Sequence, residues 1–300
     1  MADATPLASV VVAVKGDRRV RRLVDSLLRQ TFPPTAYEII VVENGSSILA
    51  DVATQAEGRV RYLHVAKANT AVARNIGLHS ALGRYLLLTD ADCVAASDWV
   101  EQMVARLATG DVAAAGGAID KYRPATLTQR YGMTVVNGQR RLSYLPALPL
   151  PYVASANAGY LTAAVRDVGG FDPDLRSGSD VDICYRLGLR GYPIALVPTA
   201  VVLHEDRASV GEHFRRFHHY AVYQVLLFAK YKQISGRRLV LNPYPLRRIA
   251  TVVATIPRAV LGLMCGDRGP AAVLGLQLVE AAGVWCGDIR GSLRYRQLYL

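Results

Sequence analysis

Across the first two thirds of the chain, short runs of consecutive apolar residues alternate with stretches whose apolar positions recur every three or four residues. Ala8-Ser9-Val10-Val11-Val12-Ala13-Val14 is rich in β-branched residues and reads as a buried first strand. Lys15-Gly16-Asp17 breaks it, and Val20, Leu23, Val24, Leu27 and Leu28 follow at helical spacing until Phe32-Pro33-Pro34. Tyr37 to Val42 and Val60 to Val65 read as further strands, the first running out into Glu43-Asn44-Gly45-Ser46. A helix is expected over Asn69 to Leu82, leading into the apolar strand Tyr85-Leu86-Leu87-Leu88. A helix from Ser97 to Leu107 and a strand from Val112 to Ala118 come next. Pro146, Pro149 and Pro151 mark a loop before Tyr152 to Gly159, and Val168-Gly169-Gly170-Phe171-Asp172 reads as a turn. Ile183 to Leu187 is helical in pattern, with Ser179 or Asp180 placed to cap it. Strands alternating with helices predict an α/β protein built on a doubly wound, mostly parallel sheet.

The last third has a different texture. Phe214 to Lys232 predicts one long helix with aromatic residues and flanking cations. Ile249 to Cys265 and Ala271 to Cys286 are almost wholly apolar, interrupted by Pro257, Arg258 and Glu280. Both fall short of the roughly 20 uninterrupted apolar residues a spanning helix needs. They read instead as helices lying in a membrane interface, with Arg247, Arg248, Arg290, Arg294 and Arg296 near headgroups. A hairpin packed on the first part of the chain, or on a second subunit in a homo-dimer, is the alternative. His213, His218 and His219 sit in the basic helix and read as solvated or membrane-facing surface. The boundaries expected are a domain over 1–209, in halves of about 1–118 and 119–209, and a helical extension over 210–300.

Charge sharpens this division. The chain of 300 residues carries a formal +11, and from 211 onward 13 Lys/Arg stand against 4 Asp/Glu, so +9 lies there and +2 in the rest. A basic extension points to an anionic partner. No nucleic-acid recognition motif accompanies the charge, so an anionic membrane surface is expected and nucleic acid is not. The four cysteines form no Cys-x-x-Cys pair, and free thiols in a reducing compartment follow. The N-terminal residues lack a basic region followed by an apolar core, so a cytoplasmic protein, peripheral at the inner face of the cell membrane, is expected.

Candidate chemistry begins where Arg84 to Thr89 ends in Asp90-Ala91-Asp92. In open α/β sheets ligands bind beyond the carboxyl ends of strands. Two acids there repel unless a cation lies between them, and a divalent metal carrying a phosphorylated substrate is one remedy. An acidic turn before the helix at Ser97 is the plainer reading. A second acidic pair, Asp180 and Asp182, opens a helix after Gly178. One acid there could serve the helix N-terminus, leaving the other for chemistry. The first strand is not followed by Gly-x-Gly-x-x-Gly, which disfavours a dinucleotide-dependent dehydrogenase.

Five segments occur in a fixed order: Glu38-Ile39-Ile40-Val41-Val42-Glu43-Asn44-Gly45-Ser46, Ala73-Arg74-Asn75-x-Gly77, Asp90-x-Asp92, Val168-Gly-Gly-Phe-Asp172, and Gly178-x-Asp180-x-Asp182-x-x-x-Arg186-Leu187. Over roughly residues 8–205 the chain resembles family 2 glycosyltransferases of the GT-A fold. The resemblance implies a nucleotide-diphosphate sugar donor, Mg²⁺ or Mn²⁺, and inversion at the anomeric carbon. It implies Glu43 near the base or ribose, with Val14 and Lys15 lining the same pocket. Arg74 would face the phosphates or hold the pocket, and Asp90 would lie near ribose and sugar. Asp92 would bind the metal, with His204 meeting the metal or the diphosphate. Asn157 would floor the sugar site, Asp180 would be the general base, and Asp182 would lie close by on the acceptor side. The chain departs from the family at Glu43-Asn44, where Asp-Asp is common, at Lys15-Gly16 in place of Tyr-Asn, and at Ser179, where an acid usually precedes the base. The Gln-x-x-Arg-Trp signature of processive synthases is missing, which implies a single transfer per encounter.

The chemistry agrees with these positions. Displacement at an anomeric carbon needs one base for the acceptor hydroxyl proton. The leaving diphosphate gathers negative charge that a metal can neutralise. The expected acceptor is a lipid-linked, cell-envelope or secondary-metabolite hydroxyl. A non-catalytic nucleotide-binding or membrane-surface scaffold and a nucleotidyltransferase are the competing readings.

Overall fold

A computed structural model of the chain describes residues 5–52, 56, 59–132, 138–145, 148–235 and 243–299, with the backbone alone for 243–248. The predicted loop at Pro146 and the side chains of Arg247 and Arg248 lie outside the described residues. The chain forms two compact units, one from 1–122, 134–143 and 150–204, the other from 123–133, 144–149 and 205–300.

The first unit is a sheet covered on both faces. Its strands are β1 (Ala8–Val14), β2 (Tyr37–Asn44), β3 (Val60–Val65), β4 (Tyr85–Thr89), β5 (Cys93–Ala95) and β6 (Ala114–Lys121). Two short strands, β7 (Ser143–Tyr144) and β8 (Pro151–Tyr152), precede β9 (Asn157–Leu161) and β10 (Ile194–His204). Eight of them pair in the order β3-β2-β1-β4-β9-β6-β10-β5. The helices are α1 (Val20–Leu27), α2 (Thr70–Ser80), α3 (Trp99–Ala108), α5 (Thr162–Asp167) and α6 (Ser179–Leu189), with α4 (Leu127–Tyr131) belonging to the second unit.

Alternate residues of the central strands feed two separate cores, as a period of two requires. Val10, Val12, Val14, Ile39, Val41 and Leu87 face α1 and α3 through Leu23, Leu27, Trp99 and Met103. Val11, Ile40, Val42, Leu86 and Leu88 face Ala73, Leu78, Phe171, Ile183 and Leu187 on the other side. Runs of Val, Ile and Leu without alternation are what such doubly covered strands demand. The expected strands and helices are present, with ends shifted by a few residues.

Four features were not foreseen. β9 runs antiparallel to both neighbours, Thr89 opposing Asn157 and Gly116 opposing Ala158. It wedges between the parallel group β3-β2-β1-β4 and the parallel pair β6-β10. A short antiparallel β5 closes the edge on β10, and α5 precedes the glycine turn. The cap of α6 is neither Ser179 nor Asp180 but Gly178, at φ 76°, a left-handed conformation that glycine adopts without steric cost.

Glycine also sets how closely α2 lies on the sheet. A Cβ on Gly77 would come within 2.2 Å of Val11 Cγ1. Both faces of that contact are packed, so neither side can yield.

The second unit is helical: α7 (Val210–Ser235), α8 (Pro243–Met264) and α9 (Gly269–Tyr295) join α4. On α9, Gly283, Gly287 and Gly291 lie against Phe214, His218 and Val222 of α7, so the two helices run in the same direction with backbones in near contact. At 27 residues α9 is longer than its apolar run predicted. Among the described residues it is the one helix long and apolar enough to cross a membrane by length and composition. His213 is not surface: it is 1% exposed, and its Nε2 lies 3.0 Å from Glu280 Oε1.

Substituting Gly77 by Val is expected to lower stability by about 1–3 kcal/mol or more through overpacking. Urea unfolding of the two proteins measures the difference.

Candidate active site

The carboxyl ends of β4 and β10 and the first turn of α6 bring one group of side chains together. Asp90 and Asp92 follow β4 directly, and a turn closed by Cys93 N–H on the Asp90 carbonyl holds both. His204 is the last residue of β10, and its Nε2 lies 3.5 Å from Asp92 Oδ1. Arg19, whose Nε and Nη2 donate to the Asp17 carboxylate, sits 3.6 Å from Asp92 Oδ2. Asp180 enters from α6, its Oδ2 accepting from the Ser155 backbone N–H at 3.2 Å.

Arg74 links these pieces. From α2 its guanidinium donates to Ser179 Oγ at 2.9 Å and Ser155 Oγ at 2.5 Å, and reaches Asp90 Oδ1 at 3.5 Å. Only 8% of the residue is exposed. Ser155 was not singled out by sequence and Ser179 only as a cap candidate and a departure from the family pattern, because hydroxyls beside small residues carry no periodic signal. Ser179 stands where an acid is common, and the hydroxyl leaves Arg74 to offset the neighbouring carboxylates.

The Asp90 carboxyl is held above the usual range first by loss of water from its surroundings and then by repulsion from Asp92 and Asp180. Arg74 and His204 oppose that rise. Some 40% of the side chain remains open to solvent. Thus one carboxylate feels Asp92, Asp180, Arg74 and His204 together, and Asp92 and Asp180 belong to one cluster.

A carboxylate beside an imidazole nitrogen supplies part of the shell of a divalent cation such as Mg²⁺ or Mn²⁺. Among the described residues no group of three or more His, Cys, Asp or Glu is placed to hold a metal ion by itself. Asp92 and His204, 3.5 Å apart, are the groups that would hold such an ion, with substrate phosphates and water completing its shell.

The remaining expected residues divide sharply. Lys15, Asn44, Ala68, Asn69, Thr70 and Arg176 line a cavity of about 90 Å³ at the ends of β1 and β2. Val14 does not line it with its side chain, which is 2% exposed in the core, though its carbonyl accepts from Asn44 Nδ2. Asn157 does not floor an open site. It is fully buried, donating to the carbonyls of Ala118 and Ala200 while Trp99 Nε1 donates to its Oδ1. Asp182 is not poised for an acceptor either: it is 0% exposed and paired with Arg186, Oδ2 to Nη2 at 2.6 Å. Arg186 in turn donates to the carbonyls of Val168 and Gly170, holding the glycine turn.

Glu43 is buried as well, accepting from Ser46 Oγ, Tyr62 Oη and the backbone N–H groups of Ile48 and Leu49. Burial alone would raise its carboxyl, but these four donors outweigh it and the net shift is downward. The Tyr62 hydroxyl is pushed up to about 12 by burial and by Glu43. Glu43 thus fixes the 46–49 loop beside the cavity.

Residues 9–169 match the model of the family described as Glycosyl transferase family 2. The chain belongs to that family. A pre-mycofactocin glycosyltransferase of Mycobacterium tuberculosis is 26% identical over 303 residues, covering 94% of this chain, and the chain spans 63% of that relative's length. The glycosyltransferase AglE of Haloferax volcanii is 26% identical over 215 residues, 69% of either chain. Among solved structures, a mannosyltransferase from Pyrobaculum calidifontis in complex with GDP-Man and Mn²⁺ superposes with a TM-score of 0.64 at 18% identity, over 95% of this chain and 87% of its own. The fold is GT-A-like, as in that structure.

Replacing Glu43 by Gln is expected to cost about 1–3 kcal/mol at neutral pH, because an amide cannot accept from all four donors. A lowered carboxyl stabilises the fold above its unfolded pKa of about 4.3, and that stability is lost as pH falls through the lower folded value. The gap between wild type and Glu43→Gln in urea unfolding is therefore full at pH 7 and closes in acid below about pH 4.

Proposed function

We propose that this glycosyltransferase inverts the anomeric centre of a nucleotide-diphosphate sugar, with Asp180 as general base for an acceptor hydroxyl. The observation that carries the reading is the convergence of Asp90, Asp92, Asp180, His204 and Arg74 on one rim of the sheet. The acceptor oxygen gives its proton to Asp180 as it bonds to the anomeric carbon, and the bond from that carbon to the diphosphate breaks on the opposite face. Asp180 is aimed by the Ser155 N–H and sits in the first turn of α6, where a carboxylate is favoured. Arg74 keeps Ser155 and Ser179 in register and offsets the clustered carboxylates.

Asp92 and His204 would hold Mg²⁺ or Mn²⁺, which would supply charge neutralisation at the leaving diphosphate. The Mn²⁺ and GDP-Man of the Pyrobaculum structure support that reading. Asp90 faces the ribose and sugar. Lys15, with the cavity it lines, receives part of the nucleotide, and Glu43 acts there through the loop it fixes.

The acceptor class is a lipid-linked, cell-envelope or secondary-metabolite hydroxyl. In this reading residues 1–209 carry the chemistry at the cytoplasmic side of a membrane, and the helical extension meets the surface where the acceptor resides.

Asp180→Asn is expected to keep donor binding within about threefold while turnover falls by about 10²–10⁴, the usual scale of base catalysis. Nucleotide titration calorimetry and a transfer assay read the two separately; unchanged turnover overturns the base assignment. Asp92→Ala is expected to abolish the Mn²⁺-dependent part of nucleoside diphosphate binding, measured with and without Mn²⁺.

A further inference from the structure

Helix α8 is apolar yet open to water. From Ile249 to Met264 it carries one charge, Arg258, and only Ala259 and Gly262 are buried. Ile249, Val253, Ile256, Val260 and Met264, spaced by three or four, stand between 44% and 80% exposed along one stripe. Helix α9, which packs beside α8, adds Leu278, Trp285, Ile289 and Leu293, between 47% and 78% exposed. A contiguous apolar surface of this extent marks an interaction site.

The charges are sorted in the same sense. The acids of α9, Glu280 and Asp288, are 2% and 1% exposed, with Glu280 set against His213. Arg258, Arg268, Arg290, Arg294 and Arg296 are exposed, and Asp267 is the one exposed acid among the described residues from 249 onward. Outward-facing apolar groups therefore stand among nearly uncompensated cations. A second copy of the chain would press like charge against like. A spanning α9 is disfavoured because its glycine stripe lies along α7, whose Arg215, Lys230 and Lys232 are exposed and would have to enter hydrocarbon with it.

We propose that the water-facing surface of the α8–α9 hairpin docks on an anionic lipid bilayer. The α8 stripe lies flat in the headgroup region, Trp285 sits at the boundary between apolar and wet, and the arginines meet lipid phosphates. This deepens the membrane-facing part of the proposed function, naming the surface and its partner, and it stands apart from the sugar chemistry.

Flotation of the full chain with phosphatidylcholine vesicles, with or without phosphatidylglycerol, tests it. Binding to the phosphatidylglycerol vesicles is expected to exceed binding to phosphatidylcholine alone by about tenfold or more, and to weaken with salt. Val253→Ser with Val260→Ser is expected to reduce it about tenfold or more while donor hydrolysis stays at the wild-type rate. Arg290→Gln with Arg294→Gln is expected to remove the preference for anionic vesicles. Absence of flotation by the wild type, or flotation unchanged in the α8 variant, overturns the proposal. So does a dimer seen by light scattering that the α8 substitutions dissociate while no vesicle binding occurs. Loss of donor hydrolysis in Asp180→Asn bears on the sugar chemistry alone.

Discussion

Arg74 lies 8% exposed with its guanidinium shared among Ser179, Ser155 and Asp90, partners 105, 81 and 16 positions away in the chain. Burying a guanidinium without partners costs several kcal/mol, so its placement is tolerable only when all three segments have arrived. The reverse also holds. Asp90, Asp92 and Asp180 would repel one another across the rim if the cation were taken away. Packing in the two cores brings α2, α6 and the strand ends near one another, and Arg74 fixes their relative position at the side-chain level. Ser155 then does two things at once: its hydroxyl takes Arg74 and its N–H takes Asp180.

Much of this arrangement was legible from sequence, and the reasons differ by element. β1, β2 and β4 announced themselves because strands buried on both faces can be nothing but apolar, and the acids that end them stand out by contrast. The direction of β9 was not legible, because a periodicity of two is the same read either way along a strand. Polar residues within the motifs were harder still. Asn157 and Asp182 looked like chemistry by type and neighbourhood, yet one ties β9 to two neighbouring segments and the other clamps a glycine turn through Arg186. Residue type alone does not tell whether a polar group serves a ligand or satisfies the protein's own buried donors. Glu43 shows the same limit, since its four donors come from a loop with no pattern of its own.

In the helical unit the sequence revealed how much charge there is but not where it points. The +9 beyond residue 210 was countable, whereas the burial of Glu280 and Asp288 depends on three glycines that let α9 approach α7. His213 was read as surface for the same reason: its partner lies 67 positions on, beyond any local pattern. Helix-to-helix distance, set by the smallest side chains, decides which ionisable groups meet water.

The reversed strand has a consequence for tolerance to change. Because β9 opposes β4, residues entering it, not leaving it, reach the rim, and Ser155 sits only two positions before the Thr89–Asn157 rung. Sliding β9 by a single position would turn its inward side chains outward and draw Ser155 away from both of its partners in the same motion. An insertion between Asn157 and Leu161 would disarm the rim from a distance. The ladder, more than the loop it carries, is the ruler against which this site is drawn.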